Sequence, residues 1–183
     1  MRGFSMQRGR SLAEIIMAIS IFSATAALAV PEMPKLLAAV RLRAGMLSII
    51  DGLRLARDEA IRRNGRVVMC KSADGRQCTK LGDWSQGWIV FHDPDNSGKV
   101  ESGESVLYRE PQSAGSLRMS GNTEIQDYVS YSAFGKAKQL SGAFQAGTFT
   151  VCLASSGSTE AYLVIFGILG RPRVEKTTVA RCG

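Results

Sequence analysis

A long apolar run lies near the N-terminus of the chain, at residues 12–30, and reads LAEIIMAISIFSATAALAV. A helix of about 20 apolar residues crosses the hydrocarbon core of a bilayer, so this run predicts a membrane-spanning helix. Its single charged residue is Glu14, close to the N-terminal end of the run. A carboxylate within a membrane helix is costly and is usually paired and functional, so we expect Glu14 to have a partner.

Helical periodicity resumes after the prolines at positions 31 and 34. Apolar residues then recur at alternating spacings of four and three, which places them on one face of a helix. These residues are Leu42, Met46, Ile49, Leu53, Ala56 and Ala60. The pair Asn64 and Gly65 is a C-terminal stop signal. The pattern predicts an amphipathic helix that packs against a sheet and ends near residue 64.

Beyond Gly65 the apolar positions change from helical to strand-like spacing. Short runs rich in Val, Ile, Tyr, Phe and Thr are separated by turns of Gly, Ser, Asn and Asp, and the short connections favour antiparallel pairing. The predicted strands are residues 66–71, 87–92, 105–109, 128–132, 147–153, 161–166 and 173–179. The sequence therefore predicts an α+β fold, in which a long N-terminal helix packs on an antiparallel β-sheet. The first half of that helix would span the membrane, and its amphipathic second half would contact the sheet.

The amino-acid composition bears on the kind of partner that the protein would bind. The chain has 183 residues and a net charge of +7, from 23 Lys and Arg against 16 Asp and Glu. The part after the apolar run is long enough for one compact domain. An excess of positive charge on this scale favours anionic partners, either nucleic acid or lipid headgroups.

The four cysteines bear on whether the protein lies in an oxidising or a reducing compartment. They form no Cys-x-x-Cys pair and His92 is the only histidine, so no zinc site is predicted. A chain exported beyond the membrane meets oxidising conditions, which predicts two disulfides. The pairing Cys70 with Cys78 and Cys152 with Cys182 is favoured over the two other connectivities. Four reduced thiols, the alternative, would suit a cytosolic protein.

Acidic residues follow the predicted strand 87–92 in the order of a calcium-binding loop, D-x-D-x-S-G-x5-E. They are Asp93, Asp95, Ser97, Gly98 and Glu104. Such loops lie between helices, whereas strands are predicted on both sides here. The favoured interpretation is therefore an acidic connection between strands, with calcium binding as the alternative. We predict no metal, no cofactor and no enzymatic activity, because the sequence contains no Walker loop, nucleophile elbow or dinucleotide-binding fingerprint.

The segment before the apolar run, MRGFSMQRG, is short and basic and ends in a glycine directly before RSLAE. This arrangement resembles the class III leader of type IV pilins and pseudopilins, which a dedicated prepilin peptidase cuts after such a glycine. The resemblance implies cleavage between Gly9 and Arg10 and methylation of the new N-terminus. It also implies that Glu14 serves filament assembly by meeting the N-terminal amine of a neighbouring subunit.

Three further tracts occur in order along the soluble part: DEAIRRNGRVVMCKSADGRQC, WSQGWIVFHDPDNSG and GESVLYRE. Together with the leader they are similar to the FimT/FimU/GspH group of minor pilins and pseudopilins. The resemblance implies a type IV pilin-like fold, with a leader at 1–9, a transmembrane and assembly segment at 10–34 and a soluble domain at 35–183. It also implies a single-pass inner-membrane protein with a periplasmic domain. Inner-membrane assembly machinery would place it among other major and minor pilins in a pilus or pseudopilus.

A basic turn near the C-terminus bears on what such a filament would bind. Gly170, Arg171, Pro172 and Arg173 resemble the GRxR motif of FimT-like DNA-uptake minor pilins, which implies DNA binding in natural transformation. Lys176 follows three residues later. Guanidinium groups fit phosphate oxygens bidentately, and a proline limits the conformational freedom of the turn. We expect contact with the DNA backbone, without sequence preference and weakened by salt.

Two further lysines, and one alternative function, bear on the interpretation of the basic turn. Lys136 and Lys138 would extend the basic patch if the fold brought them near Arg171, although solvated surface lysines are the favoured interpretation. The alternative to a DNA-binding motif is an ordinary basic hairpin turn. The corresponding function is that of a structural priming or tip pseudopilin, similar to GspH, which belongs to a type II secretion or type IV pilus system and does not bind DNA.

Overall fold

The structure is a computed structural model that describes residues 11–29, 33–113 and 115–182. The chain divides into two compact units, Met1–Ala39 and Val40–Gly183. Helix α1 spans Leu12–Ala29 and helix α2 spans Met33–Arg63. Within the described residues, no helix is both long enough and apolar enough to cross a membrane. The predicted membrane-spanning run extends to residue 30, and the predicted cleavage site at Gly9 and Arg10 lies outside the described residues.

The apolar stripe predicted for α2 is confirmed, because all six of its residues are buried. Small residues on this helix allow it to approach the strands closely. A Cβ added to Gly45 would lie 2.5 Å from Leu117 Cδ2. A Cβ added to Gly52 would lie 3.0 Å from both Met69 Cε and Trp88 Nε1. The helix therefore packs directly on the inner faces of the strands.

The strands that follow α2 are antiparallel. Within the described residues they are β1 (Val67–Lys71), β2 (Trp88–His92), β3 (Val106–Glu110), β4 (Leu117–Gly121), β5 (Tyr128–Tyr131), β6 (Gly147–Leu153), β7 (Thr159–Phe166) and β8 (Pro172–Val179). They form two four-stranded sheets, in the orders β3-β2-β1-β5 and β4-β6-β7-β8. All seven predicted strands are present, and their ends differ from the prediction by at most two residues. The predicted α+β class is confirmed, with the antiparallel structure divided into two sheets.

Strand β4 is not among the predicted strands. Its sequence, LRMSG, contains no β-branched or aromatic residue and so carries a weak strand signal. Leu117 and Met119 are nevertheless buried, while Arg118 and Ser120 are exposed. This alternation lets β4 cover the core while pairing along its length with β6.

The largest hydrophobic core joins α2 to both sheets. Trp84, fully buried, belongs to this core and lies in a short 3-10 turn. Its Nε1 donates a hydrogen bond to the Ile125 carbonyl at 3.1 Å, and its ring meets Phe149 edge to face at 5.0 Å between centroids. Every buried core residue that the structure describes lies at or after Leu42 in the sequence. The second compact unit therefore contains the whole of the described core.

Two disulfides reinforce this unit in the pairing favoured from the sequence. Cys70 and Cys78 have Cα atoms 5.6 Å apart, and Cys152 and Cys182 have Cα atoms 5.9 Å apart. The first closes a loop of 8 residues and the second a loop of 30 residues. The second bond attaches the C-terminal segment after β8 to β6.

The connection between β2 and β3 is organised by Asp93, which is fully buried. Its Oδ1 accepts the Ser97 N–H at 2.9 Å and its Oδ2 accepts the Gly98 N–H at 3.1 Å. Burial, together with a hydrogen bond that protonated Asp93 donates to Asp95 and the charge of Glu104, raises the pKa of Asp93 to about 6. The folded state therefore holds a proton on Asp93 more tightly than the unfolded chain does.

We expect the two disulfides to contribute unequally to the free energy of unfolding. In the chain-entropy description, closing a loop of 30 residues stabilises by about 3.5 kcal/mol and closing one of 8 residues by about 2.5 kcal/mol. Urea unfolding of residues 40–183 will measure both effects. The Cys152→Ser/Cys182→Ser variant should lose about 1 kcal/mol more than the matched Cys70→Ser/Cys78→Ser variant. Equal losses, or a larger loss for the shorter loop, would contradict this ranking.

Asp93 gives the stability a pH dependence of defined sign. Because its folded pKa lies above the unfolded value of 3.8, its contribution to the free energy of unfolding grows as the pH falls through about 6. Asp93→Asn removes this titration. The free energy of unfolding of the parent minus that of Asp93→Asn should therefore increase between neutral pH and about pH 4. A difference that stayed constant or decreased on acidification would show that the pKa is not raised.

Candidate functional site

The turn between β7 and β8 carries the predicted basic motif. Gly170 has a φ of 69°, in the left-handed region that favours glycine. Its N–H donates to the Gly167 carbonyl at 2.8 Å, which closes the turn. A Cβ at this position would lie 2.5 Å from Tyr131 Cε1 and 2.9 Å from the Gly135 carbonyl oxygen. Both the backbone conformation and the packing therefore require glycine before Arg171.

Two hydrogen bonds attach this turn to the rest of the domain. The Tyr131 hydroxyl donates to the Gly170 carbonyl at 3.2 Å, and the Ala137 N–H donates to the Ile168 carbonyl at 3.1 Å. Tyr131 is fully buried, and burial raises the pKa of its hydroxyl well above its usual range. The hydroxyl therefore stays protonated and available as a donor. The turn is anchored on the core side, and Arg171 is exposed on the other.

The two predicted lysines, Lys136 and Lys138, lie in different surroundings. Lys136 is exposed and directly precedes Ala137, whose N–H contacts the turn, so its segment lies beside the turn. The Lys138 ammonium group lies 5.8 Å from the centroid of the Phe144 ring, within the range of a cation–π contact. Lys136 is therefore exposed beside the turn, whereas Lys138 is half-buried and lies against Phe144.

The predicted cations on β8 have acidic neighbours. Arg173 forms an ion pair with Glu175 on the same strand. The Lys176 ammonium lies 2.8 Å from Glu160 Oε1 on β7, and this hydrogen bond raises the pKa of Lys176. In the described part of the chain, no ion pair joins Arg171 to a carboxylate. Arg171 is thus the least neutralised of the three cations.

Two arginines that the sequence did not assign to the site also lie here. A cleft of about 270 Å³ separates α2 from the turn and is lined by Arg54, Arg57, Asp58, Gly170, Arg171 and Pro172. Arg57 Nε donates to the Gly135 carbonyl at 3.0 Å, which ties α2 to the segment beside Gly170. The helical spacing of Arg54 and Arg57 indicates a shared face, but only the packing of α2 shows that this face meets the turn.

The remaining predicted site residues lie elsewhere. Glu14 is exposed on α1. Oxygen atoms of Asp93, Asp95 and Glu104 lie within 4.8 Å of one another, in the connection between β2 and β3. The Ser97 N–H also donates to Asp95 Oδ1 at 3.0 Å, so backbone amides already satisfy oxygens of both aspartates. These contacts organise the acidic connection between β2 and β3, and calcium binding there stays the alternative prediction.

The chain resembles known proteins over most of its length after α1. Residues 47–170 match the model of the family described as type II transport protein GspH. This segment contains the C-terminal half of α2, both sheets up to β7 and the turn as far as Gly170. No curated protein of known function matches the chain in sequence.

Solved structures give the same assignment at the level of the fold. The type IV minor pilin FimU of Pseudomonas aeruginosa superposes with a TM-score of 0.54 at 17% identity, covering 78% of this chain and 95% of that one. A second crystal form of FimU gives 0.52 at 16% identity, covering 77% and 99%. The likeness indicates a shared α+β pilin fold. Because the family match spans more than half of the sequence, the chain belongs to the GspH family, within the FimT/FimU/GspH group of minor pilins and pseudopilins.

Proposed function

We propose that this protein is a minor pilin of a type IV pilus, which binds DNA through the basic turn at residues 170–173 and contributes to DNA uptake in natural transformation. The observation that carries the proposal is the anchored turn. The Gly170 backbone packs against Tyr131, and the Gly170 carbonyl accepts a hydrogen bond from the Tyr131 hydroxyl. Arg171 is therefore exposed on a backbone that is already ordered. A preorganised guanidinium group loses less conformational entropy when it binds a phosphate.

The contacts favour the DNA backbone over the bases. The turn offers exposed cations, which contact phosphate oxygens and do not read base sequence. Lys136 adds a charge beside the turn, whereas Arg173 and Lys176 share theirs with Glu175 and Glu160. Binding should therefore be non-specific and sensitive to salt.

The N-terminal part of the proposal follows from membership of the pilin group. A prepilin peptidase would cut between Gly9 and Arg10, residues 10–34 would anchor the chain in the inner membrane, and residues 35–183 would lie in the periplasm. Two disulfides suit that oxidising compartment. During assembly with other pilins, Glu14 would meet the free amine of a neighbouring subunit, which would offset the cost of a carboxylate among apolar helices.

A second function is favoured by the family description itself, which names a type II transport protein. A priming or tip pseudopilin of a secretion system would share the fold and the assembly helix and would contact only other pilins. Its basic turn would then be an ordinary hairpin connection. The two functions differ in whether the isolated domain binds DNA.

Fluorescence anisotropy with a labelled DNA duplex and residues 35–183 will test the proposed function. Binding should be measurable at about 50 mM salt and fall steeply by about 200 mM. Arg171→Gln should weaken binding more than Arg173→Gln, because Glu175 already pairs with Arg173. The Arg171→Gln/Arg173→Gln double variant should abolish binding while circular dichroism shows a folded domain.

Arg76→Gln is the matched control for this experiment. Arg76 is exposed in the disulfide loop after β1, and its removal changes the net charge by the same amount as removal of Arg171. The control should bind as the parent does. Unchanged binding by the double variant, or no binding by the parent at low salt, would exclude the turn as a DNA site and favour the structural pseudopilin.

A further inference from the structure

Arg54 and Arg57 lie three residues apart on α2 and therefore project from neighbouring positions of one helical face. Across a cleft of about 270 Å³ they face Gly170, Arg171 and Pro172. Three guanidinium groups from two distant parts of the sequence thus line one concave surface. Resting on the proposed function, we propose that this cleft binds a phosphate group of the DNA backbone, with Arg54 and Arg57 acting beside Arg171.

Arg57 is held in a position to serve such a ligand. Its Nε donates to the Gly135 carbonyl at 3.0 Å and the side chain is half-buried. A guanidinium group has five N–H donors, and within the described residues this bond uses only the one on Nε. The terminal amino groups remain available for two oxygens of one phosphate, the bidentate geometry that arginine favours.

The charge of the cleft favours an anion. Its lining contains three arginines and one carboxylate, Asp58. Arg54 Nη1 lies 3.7 Å from Asp51 Oδ1, and both side chains are largely exposed, at 65% and 71%. An exposed pair at that distance neutralises little charge. The cleft thus keeps a positive excess, whereas the cations of β8 are matched by Glu175 and Glu160.

The size of the cleft suits a phosphate group. A volume of about 270 Å³ is large enough for a phosphate group and neighbouring sugar atoms. The duplex would therefore lie across the opening, with one phosphate in the cleft and further phosphates near Arg171 and Lys136. The binding surface then includes α2 as well as the turn.

The test compares Arg54→Gln with Arg43→Gln in the full-length chain, held in an uncharged detergent, with a labelled DNA duplex as the probe. Both arginines are exposed on α2, but only Arg54 lines the cleft. Arg54→Gln should raise the Kd about fivefold to tenfold at low salt, since hydrogen bonds to charged groups are among the stronger ones. It should also reduce the slope of log Kd against log salt by about 1, the loss of one phosphate contact. Arg43→Gln should leave that slope unchanged.

Two further variants make the result specific. Arg54→Lys should recover most of the affinity, because it keeps the charge at the cleft. Arg57→Gln should weaken binding at least as much as Arg54→Gln, and its thermal unfolding will show whether loss of the Gly135 contact also disturbs the domain. Equal behaviour of Arg54→Gln and Arg43→Gln would overturn the inference.

The outcomes separate this inference from the proposed function. If Arg171→Gln weakens binding while Arg54→Gln keeps the parent affinity and salt slope, the turn binds DNA and the cleft does not. If the parent chain itself does not bind the duplex at low salt, the proposed function fails and the cleft assignment fails with it.

Discussion

The packing of the α2 apolar stripe against two sheets is the constraint on which the rest of this domain depends. The stripe, together with Gly45 and Gly52, lets one helix contact strands of both sheets within one hydrophobic core. Burying apolar surface is the main favourable term in folding. Once the stripe is buried, the orientation of the opposite helical positions is fixed as well. The position of Arg54 and Arg57 beside the β7–β8 turn is thus a consequence of core packing.

The Tyr131 side chain connects that core to the basic turn. It is fully buried, its ring packs against Gly170, and its hydroxyl donates to the Gly170 carbonyl. A buried hydroxyl without a partner would be destabilising, so the turn completes the hydrogen bonding of the core at the same time as the core orders the turn. The adjacent Ala137 to Ile168 hydrogen bond adds a second attachment. The basic turn is therefore part of the packed domain, unlike a free surface loop.

Ion pairs determine which positive charges of this domain stay without a nearby carboxylate. The positive net charge of the chain shows only that basic residues outnumber acidic ones. Several of the basic side chains form ion pairs with nearby carboxylates. Glu59, which is buried, pairs with Arg62 and Arg63, and the buried Lys71 ammonium lies 3.0 Å from Asp127 Oδ1. The Glu59 pairs lie within α2, and the Lys71 ammonium also donates to the carbonyls of Lys80 and Gly82 beside the disulfide loop. The cleft beside Gly170 differs because its arginines outnumber its acids, and an incomplete set of counter-charges there favours an external anion.

The sequence by itself determined the features that depend on neighbours in the chain. Periodicity located the buried stripe of α2, the Asn64 and Gly65 signal located its end, where Asn64 has a φ of 47°, and alternation located seven strands. Spacing and compartment favoured the observed disulfides. It did not reveal β4, whose residues have little intrinsic strand preference, because that strand forms through its pairing with β6 and the burial of Leu117 and Met119.

Only the tertiary structure decided which cations lie together. Arg54 and Arg171 are far apart in sequence, and Lys176 meets Glu160 only through the register of β7 and β8, which pairs Lys176 with Tyr162. Such contacts depend on how distant elements pack and pair. The local sequence pattern predicts the face of a helix or strand on which a residue lies. Which other element packs against that face depends on how the whole core packs.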